Sequence, residues 1–116
     1  MTKTYVIVDD DRAFVTLLKK RLDSFPYLKC LGVYYSTVEA AVGITRLKPD
    51  ILFLDMEIDS LNGLDVLAVL EYQPKTIVVS SNANYMEEAF SFKIYDYLKK
   101  PLPDISRLQT ALNKVI

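Results

Sequence analysis

Five side chains of reactive type stand at the ends of apolar runs. Ile51-Leu52-Phe53-Leu54 leads without interruption into Asp55, and Tyr5-Val6-Ile7-Val8 leads into Asp9-Asp10-Asp11. Neighbouring carboxylates repel, and each raises the other's pKa unless a cation intervenes. Hard oxygen ligands that leave positions for water and phosphate are what Mg²⁺ prefers. A carboxylate can also act as a nucleophile toward phosphorus, giving an aspartyl phosphate. Such transfer needs positioning and charge neutralisation more than covalent machinery. Ser80, after the run Thr76 to Val79, could donate to a phosphoryl oxygen, and Lys100 could supply a compact positive charge. These residue types describe an anionic pocket that holds a divalent cation and in which Asp55 accepts a phosphoryl group.

Each position also has a plainer use. Acids after a strand can cap the next helix and favour its positive end, which is the preferred reading of Asp11 and an open one for Asp9 and Asp10. Ser80 could equally be a helix cap, and Lys99 with Lys100 a solvated pair before a turn. Single matches of this kind specify function loosely. The order of all five along the chain is the stronger signal.

The elements that must position them alternate. The unbroken apolar runs read as strands buried on both faces, at Tyr5–Val8, Ile51–Leu54 and Thr76–Val79. A weaker strand with an internal Gly32 spans Cys30–Tyr35, toward a sheet edge, and another lies around Tyr95–Leu98. Between them, Phe14, Leu17, Leu18, Leu22 and Phe25 recur at helical spacing until Pro26. Ser36 or Thr37 can cap a second helix that buries Val38, Ala41, Val42 and Leu47. Asn62-Gly63 turns into a third helix carrying Leu64, Leu67, Ala68 and Leu70, ended by Gln73-Pro74. A short helix with Met86, Ala89 and Phe90 follows, and Pro101 and Pro103 lead into a last helix with Ile105, Leu108, Leu112 and Val115. Alternation of this kind predicts a three-layer α/β sandwich, (βα)5, around a parallel sheet. Ligands bind such sheets outside the carboxyl ends of the strands, where the five side chains lie.

Composition sets the boundaries. A chain of 116 residues, 51% hydrophobic and 25% charged, reads as one globular domain over 1–116. A net charge of −1 gives no electrostatic footprint for nucleic acid or an anionic membrane. Cys30 is the only cysteine, which suits a reducing compartment, and it reads as a small buried apolar residue. No run has the length of a membrane span and the N-terminus lacks a secretory pattern, so the expected location is the cytoplasm.

With these residues in order, the sequence resembles the response regulator receiver domain, the CheY-like phosphoacceptor of two-component signalling. The resemblance runs over essentially the whole chain. It rests on Val8-Asp9-Asp10, Leu54-Asp55, Asn62-Gly63, Ser80 and Asp96-Tyr97-Leu98-Lys99-Lys100-Pro101. It implies a flavodoxin-like sheet of order 2-1-3-4-5 and phosphorylation at Asp55. It further implies Mg²⁺ held by Asp10, Asp55 and the backbone carbonyl of Glu57, with Asp9 acting through a bound water. Ser80 would contact the phosphoryl group, Lys100 would pair first with the acids and then with the phosphate, and its bond to Pro101 would be cis. Tyr97 would be an aromatic switch whose ring turns inward; its plainer reading is an amphipathic edge residue, one of eight tyrosines. Glu57 and Asn82 would tune the lifetime of the phosphorylated state.

The implied phosphodonor is a phosphohistidine of a sensor kinase or a phosphotransfer protein. The implied output surface is the fourth helix, fifth strand and fifth helix, binding a partner or a second copy; the domain itself would not be a classical enzyme. Two departures stand out: Asp59 where a proline is common, and Lys93-Ile94 where a small residue or glycine is frequent. The run Tyr85 to Phe90 is similar to receivers that often precede a LytTR-type DNA-binding domain. The chain stops at Ile116 as its last helix ends, which reads as a stand-alone receiver or a shortened one. Two alternatives stay open. One is a receiver fold that no longer signals by phosphorylation, which Asp59 and Lys93 allow. The other is an aspartate-nucleophile phosphatase, since Asp9-x-Asp11 after a strand resembles the start of that class, although Ala13 stands where it has Thr or Val.

Overall fold

The uninterrupted apolar runs form the middle of the sheet. The structure is a computed structural model that describes residues 2–58, 61–102 and 104–116. Its main sheet contains β1 (Lys3–Val8), β2 (Leu28–Tyr34), β3 (Ile51–Leu54), β6 (Lys75–Ser80) and β7 (Asp96–Lys99), all parallel. A hairpin of two residues per strand, β4 (Glu57–Ile58) with β5 (Leu61–Asn62), lies between β3 and the next helix. The main-sheet order is β2-β1-β3-β6-β7. Counting only those five strands, this is the expected 2-1-3-4-5 arrangement, with the weaker glycine-containing strand at an edge.

Helices cover both faces, and the strand residues alternate between them as the pleat requires. Tyr5, Ile7, Ile51, Phe53, Ile77 and Val79 point to one core. There they meet Leu18 and Leu22 of α1 (Arg12–Leu22) and Leu108 and Leu112 of α5 (Ile105–Val115). Val6, Val8, Leu52, Leu54 and Val78 point to the other. That core is filled by Ala40 and Ile44 of α2 (Thr37–Leu47), Leu64 and Leu67 of α3 (Leu64–Ala68) and Ala89 of α4 (Met86–Ser91). Tyr5 and Phe53 pack edge to face at 5.8 Å between ring centres. Among the described residues no helix is long and apolar enough to cross a membrane.

Several details differ from the sequence pattern. The buried face of α2 is Thr37, Ala40, Gly43 and Ile44, not the face expected. Val38 and Val42 are 74% and 64% exposed. Both stripes are apolar, so periodicity alone could not choose, and the stripe with small residues fits closer to the sheet. Helix α3 ends at Ala68, which is exposed, well before Gln73-Pro74. Cys30 on β2 is half-buried rather than buried. Asp59 and Pro103 lie outside the described residues.

Candidate functional site

Parallel pairing brings the ends of β1 and β3 side by side. The register aligns Val8 with Leu54, and the Asp55 N–H donates to the Val8 carbonyl at 2.9 Å. Asp9 and Asp55, one residue beyond each strand, therefore emerge together, 2% and 6% exposed. Asp10 is exposed, and one carboxylate oxygen from each of Asp9, Asp10 and Asp55 lies within 4.8 Å of the others. At the next strand end, the Lys100 N–H donates to the Ser80 carbonyl at 2.9 Å, tying β7 to β6 at this edge. The Lys100–Pro101 peptide is cis, as expected. Lys100 Nζ reaches Asp9 Oδ2 at 3.0 Å and Asp55 Oδ2 at 3.3 Å, passing 4.4 Å from the centre of the Phe14 ring.

The loop after Asp55 is held by its own backbone. The Glu57 N–H donates to Asp55 Oδ1 at 3.3 Å, and the Gly63 N–H donates to the Met56 carbonyl at 2.7 Å. A Cβ on Gly63 would stand 1.8 Å from the Asp55 carbonyl oxygen, so this close approach requires glycine. Asn62 accepts from the Leu64 N–H at 2.8 Å and donates to Glu88 on α4 at 3.1 Å. Across the pocket, Asn82 donates to Glu57 Oε1 at 3.4 Å, so these two residues meet as a pair.

The remaining expected positions are accounted for. Ser80 is buried and its hydroxyl accepts from the Asn82 N–H at 3.2 Å, closing a turn rather than capping a helix. Tyr97 is 7% exposed, with its ring inward and its hydroxyl donating to the Asn82 carbonyl, although its strand β7 is at the sheet edge. Asp11 accepts from the Phe14 N–H at 3.1 Å and caps α1. Lys99 is exposed.

Charge is unbalanced here. Burial raises the Asp9 carboxyl, against the Asp11 N–H and Lys100, which lower it. Burial and then the Asp9 charge raise Asp55 to about 6, and Lys100 offsets only part of this. For Lys100, burial acts downward, but the hydrogen bond and charge of Asp9 and the charge of Asp55 outweigh it and raise the ammonium. Asp9 and Asp55 share the Lys100 ammonium, and with Asp10 they gather three carboxylates, which are hard oxygen donors. That donor set fits a divalent cation of the Mg²⁺ type.

The response regulator receiver domain model matches residues 5–113. The chain belongs to that family. The receiver is 33% identical over 112 residues to an uncharacterized response regulatory protein of Yersinia pestis, covering 95% of this chain and 47% of that protein. It is 30% identical over 112 residues to the transcriptional regulatory protein BtsR of Escherichia coli (strain K12), covering 95% and 46%. The chain thus spans about half the length of the curated relatives it matches. Among solved structures, the response regulator domain of Thermotoga maritima CheB superposes with a TM-score of 0.81 at 28% identity, covering 97% of this chain and 90% of that one. The REC domain of AraT from Geobacillus stearothermophilus gives 0.87 at 24%, covering 99% and 93%, a likeness of fold. Receiver domains of response regulators are parts of two-component systems.

One departure of this receiver has a structural answer. Lys93 adopts φ 61°, the left-handed region, with its N–H donating to the Phe90 carbonyl after α4. Glycine suits that backbone best, and lysine holds it at a cost of about 1 kcal/mol. The receiver also contains a third buried acid, outside this pocket, that sequence reasoning passed over. Asp96 takes two hydrogen bonds of 2.7 Å from Arg107 and one of 3.1 Å from Lys114, both on α5, and accepts the Tyr97 N–H at 2.8 Å. The available signal was the seven-residue spacing of Arg107 and Lys114, which puts both cations on one helix face.

Proposed function

We propose that this receiver is a phosphoacceptor in which Asp55 takes a phosphoryl group from a phosphohistidine donor. The observation that carries the reading is the pocket itself: Asp55 buried beside Asp9 and Asp10, with Lys100 3.3 Å from its Oδ2. An Asp55 carboxylate oxygen bonds to phosphorus as the phosphorus–nitrogen bond of the donor breaks, and the imidazole leaves with that electron pair. Asp9, Asp10, Asp55 and the backbone carbonyl of Glu57 would hold Mg²⁺, which when bound supplies charge neutralisation for the carboxylates and the arriving phosphoryl oxygens. Lys100 already touches Asp55 and turns its ammonium to the new oxygens, at no cost in bringing a cation from solution. Although the Asp55 carboxyl sits near 6, it is mostly ionised at neutral pH and so is nucleophilic.

The phosphoryl group adds about −1.5 to −2 of charge and strong acceptor oxygens. These draw the Ser80 hydroxyl away from the Asn82 N–H, and the loop that Ser80, Asn82 and the inward Tyr97 share moves with it. The fourth helix, fifth main-sheet strand and fifth helix then present a different surface to a partner, an output segment or a second copy. Glu57 and Asn82, bonded across the pocket, set how quickly water reaches the acyl phosphate. The domain works as one unit in the cytoplasm, promotes its own phosphorylation and dephosphorylation, and contacts neither nucleic acid nor membrane itself.

The test is intact mass after incubation with Mg²⁺ and acetyl phosphate or phosphoramidate. One phosphoryl adduct in the wild type, labile at alkaline pH and absent from Asp55→Asn, is expected. No adduct with either small donor or a phosphorylated kinase would refute the reading and favour a receiver fold that does not signal by phosphorylation. Continuous phosphate release that survives Asp55→Asn but is lost in Asp9→Asn would identify a phosphatase instead.

A further inference from the structure

Helix α2 has two apolar faces, and the sheet uses only one. The other carries Val38 and Val42, 74% and 64% exposed, and Val69 just past α3 is 67% exposed beside them. With Ala41 these valines line a cavity of about 330 Å³ between α2 and α3. A neighbouring cavity of about 300 Å³ shares Val38 and Val42 and is bordered by Glu39 and Arg46. An apolar centre between charged ends is the composition of an interface rather than of a solvated helix.

The charges indicate what covers it. Glu39 and Arg46 lie three residues before and four after Val42, so they share its face. They stand roughly 10 Å apart along the axis and cannot bond each other. Among the described residues neither has an ion-pair partner. A second α2 laid antiparallel across a two-fold axis at residues 42–43 brings Glu39 of each copy beside Arg46 of the other. The same operation brings Val42 of both copies together between the two ion pairs, with Val38 just outside each pair. A face with its acid near the helix N-terminus and its base near the C-terminus matches itself only in the antiparallel sense.

We propose that two copies of this chain associate through α2, antiparallel about a two-fold axis at Val42, with reciprocal Glu39–Arg46 pairs. This contact is distinct from the output surface of the fourth and fifth helices, and it does not depend on phosphorylation. One helix face buries less than the roughly 800 Å² per partner of a stable complex, so the dimer is weak.

Sedimentation equilibrium from micromolar to millimolar concentration tests it. The wild type should rise from monomer mass toward dimer mass. Glu39→Lys and Arg46→Glu, each checked for folding by circular dichroism, should weaken association at least about tenfold, because each sets like charges opposite one another. Mixed in equal amounts, the two variants should form a heterodimer, since the new lysine then meets the new glutamate and native Arg46 meets native Glu39. Because Glu39→Lys also removes an acid from the first turn of α2, Val42→Lys, exposed and mid-helix, serves as a second variant and should abolish the dimer. A wild type monomeric at millimolar concentration, a dimer indifferent to these changes, or a mixture of the folded variants that stays monomeric would each overturn the proposal.

Discussion

Asp55 and Asp96 are each 6% exposed, yet their carboxyls shift in opposite directions. Burial and the Asp9 charge carry Asp55 up to about 6. At Asp96 burial acts upward too, but Arg107, Lys114 and the Tyr97 N–H bring it down to about 2. Burial acts upward on both, and at Asp96 the cations outweigh it. Asp9 and Asp55 share Lys100 at one site, whereas Asp96 alone holds two cations at the other. A shortage of positive charge leaves the Asp55 pocket suited to a metal ion and an electrophile. A surplus makes Asp96 a tie that fastens α5 to β7. A perturbed acid points to chemistry when its imbalance is unrelieved, and to structure when neighbouring side chains relieve it.

The largest expected effect separates the two acids outright. Asp55→Asn should abolish the phosphoryl adduct, while Asp96→Asn, if folded, should still accept phosphate by intact mass. Their cations should divide in the same way. Lys100→Gln should slow adduct formation by about a hundredfold, and should raise Asp55 further; Arg107→Gln should leave the rate unchanged.

Stability should divide with opposite sign. In urea melts at pH 7, Asp96→Asn should lose about 2 kcal/mol, and Asp55→Asn should gain about 2 kcal/mol by removing a carboxylate held among like charges. The Asp55 carboxyl is raised in the fold, so the folded state binds that proton more tightly and stability falls as pH climbs from about 4 to about 6. The gain from Asp55→Asn is therefore complete above that window and gone below it. Asp96 is lowered, so its contribution is complete above about 4 and lost as pH falls through about 2. The smallest effect belongs to the rim, where Asn82→Ala should change the lifetime of the phosphorylated state only a few-fold, measured by adduct decay.

The places of Asp9 and Asp55 at neighbouring strand ends were legible because each follows a strand whose apolar run has no interruption. Strand pairing then fixes where the next residue emerges, as the Val8–Leu54 alignment shows. Helix faces were legible only where one stripe is apolar. In α5, Leu108, Leu112 and Val115 are buried as the stripe predicts, whereas Ile105 at its start is 45% exposed. In α2, Val38 and Val42 compete with Ala40 and Ile44, and only the fit against the sheet decides. The Asp96 tie was hidden because its partners lie 11 and 18 residues away. The hairpin of Glu57–Ile58 with Leu61–Asn62 is too short for any alternation to announce it.

The contrast between the two acids is tested most directly by carboxyl ¹³C NMR titration of the aspartates in the metal-free protein. Asp55 should titrate near 6 and Asp96 near 2, and adding Mg²⁺ should move Asp55 downward while leaving Asp96 in place. An Asp55 that titrates with the exposed aspartates, or an Asp96 that follows Mg²⁺, would contradict the assignment of one acid to chemistry and the other to structure.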